Sequence, residues 1–372
     1  IMEQLEIDWK YSDALQAADN EKQVKYIVRD IFRLHGLDVT FMAKPMEGVA
    51  GSGEHTHLGL AAKLKDGRVV SMFSSKDGKD FLNVIGYGAL MGILNNYEVI
   101  NPFISATNDA FNRLKPGFEA PVCTVTSMGH SVEAPSRNRT VLAGLIREAG
   151  NPLATRFELR SPNPNSNTYL VIAASYMAML DGIRAAVTAG KTPAELEKSI
   201  SKKKGEEDFY LETGREYRSE KDVFAHYTPE ERDDIFGRPP ETVWENITAF
   251  DKYPEKLEIF KSGGVMTDIV LESYKEAIVS QWATELYNRI IPNAMDTVRS
   301  CRKLHNESAT DYDIGMWAKI SAQRDKIAKN TMNKFCILKK ISDALDKADY
   351  NLASRLQLEA QREIRKLIDM YS

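Results

Sequence analysis

The most restrictive feature of the sequence is an alternation of charged and apolar residues in the five-residue run RFELR that begins at position 156. Successive side chains of a β-strand point to opposite faces of a sheet, so Arg156, Glu158 and Arg160 share one face. The Phe and Leu between them face the other way, towards a core. This stretch therefore predicts a strand with one structural and one functional face.

A Gly-rich loop, Gly48–Gly53, leads into a second alternating segment in which His55 and His57 share a face. An imidazole that converges with carboxylates makes a site for a divalent cation, and Mg²⁺ or Mn²⁺ is favoured over zinc because thiolates are absent. The candidate metal ligands are Glu6, His55 and Glu158.

Arginines supply planar forks that suit phosphate and carboxylate groups. The same half of the chain provides four of them, Arg113, Arg139, Arg156 and Arg160. A metal together with arginines indicates phosphoryl chemistry.

Each of these features also has a structural interpretation. A His-x-His pair on a strand fits a surface or packing role. The alternation at 156–160 fits a cross-strand ladder of salt bridges, and Arg137 and Arg139 fit a solvated basic turn.

Composition excludes several classes of protein. The chain has 372 residues, 43% hydrophobic and 27% charged, with a net charge of -4. These values predict a globular chain with no global attraction to nucleic acid or to an anionic membrane. Cys123, Cys301 and Cys336 lie far apart in the sequence, so we expect neither a disulfide framework nor a zinc site, and a reducing cytoplasm fits best. The apolar run Tyr169–Leu180 is too short to span a bilayer, and no export signal is visible at the N-terminus.

The predicted fold class is α+β, an antiparallel sheet with flanking helices followed by an α-helical C-terminal extension. We expect strands at Glu6–Trp9 and Asp38–Met42, a hairpin at Asp66–Gly67, and a helix from about Thr168 to Ala189. The expected domains are a catalytic core at 1–190, an insertion-like remainder of that domain at 191–292, and a helical hairpin within 293–372.

The order of the motifs carries more information than any one of them. EQLEIDW, TFMAKP, GSGEHTH, NRLKPGFEAP, SRNR, TRFELRSPNPNSNTYL and LDGI occur in one sequence. In that order they resemble the catalytic domain of glutamine synthetase, from the first residues to about Ile183, and the resemblance returns at Lys261–Val265.

The resemblance implies that ATP phosphorylates the side-chain carboxylate of glutamate and that ammonia then displaces the phosphate. It implies two divalent cations, Mg²⁺ or Mn²⁺, with ATP as co-substrate. Glu6 resembles a ligand of the first metal, and His55 and Glu158 resemble ligands of the second. His57 and Arg156 resemble contacts to the nucleotide phosphates, and Arg147 resembles a further phosphate-binding arginine. Gly51, Arg113 and Arg160 resemble contacts to glutamate. Arg139 resembles the residue that holds the phosphoryl group, and Glu119 resembles the flap carboxylate that takes a proton from ammonium.

The sequence also departs from the family. Ala50 stands where an asparagine is common, Gly59 stands where a serine is common, and Gly129–Pro135 enlarges the flap region. These departures keep open a ligase that joins glutamate to an organic amine, and a non-catalytic glutamate or nucleotide sensor is a further alternative. Since the resemblance begins beyond the family's small N-terminal domain, we expect this chain alone to be inactive. The resemblance also implies homo-oligomers built as stacked rings in the full-length protein.

Overall fold

The computed structural model describes residues 4–115, 121–148, 150–332 and 334–372. The chain forms two compact units. The first comprises residues 1–240 and 249–271, and the second comprises residues 241–248 and 272–372. The predicted functional division at residues 190 and 292 stays a prediction.

Helices dominate the described residues. In chain order they are α1 (Ala14–Leu34), α2 (Val84–Asn95), α3 (Tyr97–Ile104), α4 (Asn108–Arg113), α5 (Thr168–Thr188), α6 (Pro193–Ile200), α7 (Val223–His226), α8 (Pro229–Phe236), α9 (Val243–Ile247), α10 (Ala249–Lys252), α11 (Pro254–Lys261), α12 (Asp268–Glu285), α13 (Ile291–Ser300), α14 (Asp311–Ala328), α15 (Ile337–Asp346) and α16 (Tyr350–Tyr371). The strands are β1 (Thr56–Leu58), β2 (Ala61–Lys63), β3 (Val69–Ser71), β4 (Thr126–Ser127), β5 (Ala143–Glu148) and β6 (Asn151–Leu159).

Within the described residues, β1, β6, β5 and β4 form one sheet in that order, and β2 pairs with β3 in a second. β6 runs antiparallel to both of its neighbours, whereas β4 runs parallel to β5. The predicted mixture of helices and sheet is confirmed, but the larger sheet is mixed rather than wholly antiparallel. The pairing of β6 with β1 and β5 places the alternating segment in the interior of this sheet.

Glycines bring α2 and α5 into close contact. A Cβ atom built on Gly92 would lie 2.0 Å from the Ala178 carbonyl oxygen, and one built on Gly182 would lie 2.2 Å from the Gly88 carbonyl oxygen. Helix α5 begins at Thr168, as predicted, because the side chain of the preceding Asn167 accepts a hydrogen bond from the Leu170 amide (3.4 Å).

By length and composition, α5 is the helix of the described residues that could cross a membrane. It is longer than the apolar run identified in the sequence. Its close packing on α2 is equally typical of the core helix of a globular domain.

Other expectations need correction. The segments Glu6–Trp9 and Asp38–Met42, predicted as strands, have no assigned strand partner and no regular structure in the described chain. The aliphatic stripe predicted to form the first helix of a C-terminal hairpin is divided between α14 and α15, with an irregular connection between them. Ile320, Ile327, Leu338 and Ile341 of this stripe are buried, whereas Phe335, which lies in the connection, is 55% exposed. Apolar spacing alone did not locate this interruption.

The second unit has its own aromatic core. Trp244 and Trp282 stack with ring centroids 6.1 Å apart, and Tyr350 packs against both rings. The buried Trp282 indole donates a hydrogen bond to Gln357 (3.0 Å). All three cysteines are buried and free, as expected.

A buried ion network supports the first unit beside α3. Glu98 forms ion pairs with Arg215 and with Lys256 (3.1 Å), and both cations also form ion pairs with Glu212. Burial opposes ionisation of Glu98, but the two cations outweigh it and lower the pKa of the carboxyl.

Replacing Glu98 with Gln is expected to destabilise the chain by about 3 kcal/mol at pH 7, because it leaves Arg215 and Lys256 with only the more exposed carboxylate of Glu212. A depressed folded-state pKa stabilises the native chain above the unfolded pKa, and this contribution is lost as pH falls through the folded pKa. Urea unfolding between pH 3 and about 7 should show a smaller loss of stability on acidification in Glu98→Gln than in the unaltered chain. An equal acid dependence in both proteins would contradict this account.

Candidate functional site

The register of the larger sheet gathers the predicted site residues on one face. His57 on β1 lies opposite Glu158 on β6, and Gly144 on β5 lies opposite Glu158 on its other side. A Cβ atom on Gly144 would lie 3.9 Å from Glu158 Oε2, so this glycine leaves room beside the carboxylate. Glu158 on β6 therefore lies between His57 on β1 and Gly144 on β5, and the glycine places no side chain beside it.

Glu158 is the meeting point of two predicted site residues. Its Oε1 atom lies 3.1 Å from His55 Nδ1 and accepts a hydrogen bond from Arg160 Nη1 (2.6 Å). Partial burial favours the neutral acid, but the His55 hydrogen bond and the positive charge of Arg160 lower the pKa of Glu158 to about 2. The carboxylate is therefore ionised throughout the physiological range.

A second pair lies beside the first. Arg156 Nε donates a hydrogen bond to His57 Nδ1 (2.9 Å), and Arg156 Nη1 donates to the Ala154 carbonyl (2.8 Å). Desolvation, followed by the charge of Arg156, lowers the pKa of His57. The two predicted nucleotide-phosphate residues are thus in direct contact, with His57 held neutral.

The Gly-rich loop packs against Arg113. A Cβ atom on Gly51 would lie 2.2 Å from the Ala43 carbonyl oxygen, and one on Gly53 would lie 2.6 Å from Arg113 Nη2. The buried Arg113 donates hydrogen bonds to the carbonyls of Arg160 (3.0 Å) and Ser161 (2.9 Å). Burial and the charge of Arg160 lower its pKa to about 10. A side chain at position 51 would collide with backbone, whereas one at position 53 would displace the ends of the Arg113 and His55 side chains.

Arg139 and Arg147 both belong to the region after β4, but they differ in position. The Arg139 carbonyl accepts a hydrogen bond from Arg160 Nε (3.0 Å), and its own side chain is exposed. Arg147 Nη1 instead donates to the Val132 carbonyl in the preceding loop (3.1 Å). Arg139 is therefore linked to the Glu158 cluster, whereas the structure shows Arg147 bracing a loop.

The structure does not bring Glu6 into the cluster. Glu6 is exposed in an irregular N-terminal segment. Glu119 lies outside the described residues. Across residues 4–115, 121–148, 150–332 and 334–372, no three His, Cys, Asp or Glu side chains are grouped closely enough to hold a metal ion. The structure joins His55 to Glu158, while the three-ligand set with Glu6 stays a prediction.

A buried polar cluster behind the site escaped the sequence interpretation. Glu54 contacts Lys25 (3.0 Å) and accepts a hydrogen bond from Thr168 Oγ1 (2.8 Å), and Lys25 also pairs with Glu21. Burial raises the pKa of Glu54 despite the lysine beside it. These contacts fix α1 and the start of α5 to the residue before His55. The signal was the spacing of Glu21 and Lys25, four residues apart on one helix.

One cavity lies elsewhere in the first unit. Its volume is about 400 Å³, and its lining combines Asn95 and Asp181 with residues of α11. It contains none of the predicted site residues.

The first part of the chain is similar to known proteins. The model of the family described as "Glutamine synthetase, catalytic domain" matches residues 2–214. The chain is 39% identical to the glutamine synthetase of Clostridium saccharobutylicum over 201 residues, which are 53% of this chain and 40% of that protein. It is 38% identical to that of Frankia alni (49% of this chain, 35% of that protein) and 37% identical to that of Pyrococcus horikoshii (49% and 37%). The chain thus spans about two fifths of the length of these relatives.

The fold and the site define a class of protein: a mixed α/β domain in which imidazole, carboxylate and guanidinium groups share one face of a sheet. Within that class, the chain belongs to the glutamine synthetase catalytic domain family.

Proposed function

We propose that this sheet face forms part of a site for ATP-dependent ligation of ammonia to the side-chain carboxylate of glutamate. The observation that carries the proposal is the convergence of His55 and Arg160 on one ionised carboxylate, Glu158, beside the paired His57 and Arg156. An imidazole and a carboxylate serve a cation, and neighbouring guanidinium groups serve phosphoryl and carboxylate oxygens.

We assign the arginine roles from the resemblance to the family, and the contacts of Arg156 and Arg160 support the assignment. Arg156 is half-buried at the rim and orients a nucleotide phosphate together with His57. Arg160, 7% exposed, is held by Glu158 and by the Arg139 carbonyl and faces the reacting carboxylate. Arg113 and Gly51 hold the other end of glutamate, and Arg139 contacts the transferred phosphoryl group. Glu119 is proposed to take the proton from ammonium.

The residues present fit a hard divalent cation in part. Glu158 stays ionised, and His55 lies within hydrogen-bond distance of it, so oxygen and nitrogen donors are available side by side. Glu6 is proposed as a ligand of a second cation. Mg²⁺ or Mn²⁺ bound there would neutralise charge on the phosphoryl group.

The first test is calorimetric titration of the chain with Mg²⁺ and a non-hydrolysable ATP analogue. Arg156→Ala is expected to weaken binding about 10- to 100-fold, since a hydrogen bond to a charged group contributes about 1.5–3 kcal/mol. Arg68→Ala, on the exposed β2–β3 hairpin, serves as the control and should leave the affinity unchanged. Equal affinities for all three proteins would contradict the nucleotide role of Arg156.

Coupled ATP turnover with glutamate then separates the possible activities. Ammonium as the preferred acceptor supports glutamine formation, whereas preference for a polyamine would identify an organic-amine ligase. Nucleotide binding without turnover on any acceptor is the result expected if this chain alone is inactive.

A further inference from the structure

The segment Arg215–Lys221 forms hydrogen bonds with the loop Ser127–Thr140, which contains Arg139. This segment begins immediately after residue 214, where the match to the family model ends. Backbone hydrogen bonds join this segment to Thr126, the residue before the loop: the Thr126 amide donates to the Tyr217 carbonyl (2.8 Å), and the Ser219 amide donates to the Thr126 carbonyl (3.0 Å). An isolated parallel bridge between Thr126 and Arg218 therefore ties the segment to the outer edge of β4.

Glu220 holds the start of the loop. Its carboxylate accepts hydrogen bonds from the amides of Met128 (3.1 Å) and Gly129 (2.9 Å) and from the Ser127 hydroxyl. Arg218 Nε donates to the same carboxylate (2.9 Å), and Arg218 Nη2 donates to the Gly129 carbonyl (2.9 Å). Charge-assisted bonds of this kind are about twice as strong as neutral ones.

Asn138 holds the end of the loop. Its side-chain amide donates to the carbonyls of Ser219 (3.3 Å) and Lys221 (2.8 Å), and its carbonyl oxygen accepts from the Thr140 amide (3.0 Å). The next residue is Arg139, whose carbonyl accepts the hydrogen bond from Arg160 Nε. The contacts form a continuous path from Glu220 to the arginine that pairs with Glu158.

We propose that Glu220, assisted by Arg218, is a positioning residue that fixes the Ser127–Thr140 loop and thereby sets the places of Arg139 and Arg160. The inference rests on the proposed function for its catalytic consequence, but the positional effect is measurable without activity. Glu220 does not contact substrate in this scheme and acts only through the loop.

The test compares Glu220→Ala and Glu220→Gln with a control in the same segment, Glu216→Gln. Glu216 pairs with Lys203, and its side chain is 17% exposed against 14% for Glu220, so the two carboxylates are matched in burial. Hydrogen exchange followed by mass spectrometry should show the peptide containing Met128 and Gly129 exchanging at least about tenfold faster in Glu220→Ala, as expected for the loss of about 1.5 kcal/mol or more of hydrogen bonding. Glu220→Gln keeps one acceptor oxygen, so its exchange rate should lie between those of the unaltered chain and Glu220→Ala.

A second readout distinguishes positioning from simple support of the loop. Phenylglyoxal modification of Arg160 should become several-fold faster in Glu220→Ala and stay unchanged in Glu216→Gln. Affinity for Mg²⁺ with the ATP analogue should fall in the same order as the loop loosens. Faster exchange with unchanged Arg160 reactivity would overturn the positioning role, as would unchanged exchange in Glu220→Ala.

These measurements also separate the two proposals. If the unaltered chain fails to bind the nucleotide analogue, the proposed function fails, while the exchange and modification rates still decide whether Glu220 positions Arg139 and Arg160.

Discussion

Replacing Glu158 with Ala is expected to weaken Mg²⁺-dependent binding of an ATP analogue by about 100-fold or more, since a proposed metal ligand is lost outright and the group that orients Arg160 is lost with it. The Glu158 carboxylate contacts both His55 and Arg160, so its loss removes the partner of both side chains. Calorimetric titration of the unaltered chain and the variant measures the effect.

The same substitution leaves Arg160 without its carboxylate partner while that arginine stays 7% exposed. A loss of about 3 kcal/mol of stability is therefore expected as well. Glu158→Gln keeps the size of the side chain and separates a folding defect from a binding defect. Asp66→Asn, which alters an exposed carboxylate on the β2–β3 hairpin, should have neither effect. Unchanged affinity in both Glu158 variants would remove this residue from the proposed site.

Replacing Gly182 with Ala is expected to destabilise the first unit by about 2–3 kcal/mol or more. The added methyl group would lie 2.2 Å from the Gly88 carbonyl oxygen and 2.5 Å from the Gly92 amide nitrogen. These are backbone atoms of a packed helix, so relief requires α2 and α5 to separate, and overpacking of this kind costs about 1–3 kcal/mol. Thermal and urea unfolding provide the measurement.

Gly315→Ala is the matched control, because Gly315 also lies within a helix but has no atom near its Cβ position. There the substitution should stabilise the chain by roughly 0.5–1 kcal/mol through helix propensity alone. Opposite signs at the two glycines are expected. A stabilising effect at Gly182 would show that the two helices are less tightly packed than the structure indicates.

Local alternation was sufficient to predict which polar side chains of the 156–160 segment share a face. A strand has a period of two residues, so Arg156, Glu158 and Arg160 had to share a side once the segment was extended, and the structure brings Glu158 and Arg160 into contact. The same rule placed His57 beside Arg156 only after the pairing of β1 with β6 was known. Register depends on contacts about a hundred residues apart in sequence, which a local pattern does not specify.

Long-range polar contacts were beyond the reach of the sequence pattern. The charged residues after Lys191 were interpreted as an insertion-like connection, yet Glu220 and Arg218 bind the loop that leads to Arg139. A charged side chain looks the same in a sequence whether it is solvated or buried against amides. Similarly, Glu6–Trp9 alternates like a strand but finds no partner strand in the described residues, and alternation alone does not supply one.

In their neutral forms, His57 on β1 and His55, the residue before β1, carry the ring proton on different nitrogens. Arg156 always donates, so His57 Nδ1 must accept, and the ring proton of His57 lies on Nε2. Ionised Glu158 accepts, so His55 Nδ1 carries a proton, and in the neutral ring the lone pair lies on Nε2. His57 consequently offers an N–H group suited to a phosphate oxygen, whereas His55 offers an electron pair suited to a cation. Two identical side chains, two residues apart, are thus given different chemistry by the single partner that each one contacts.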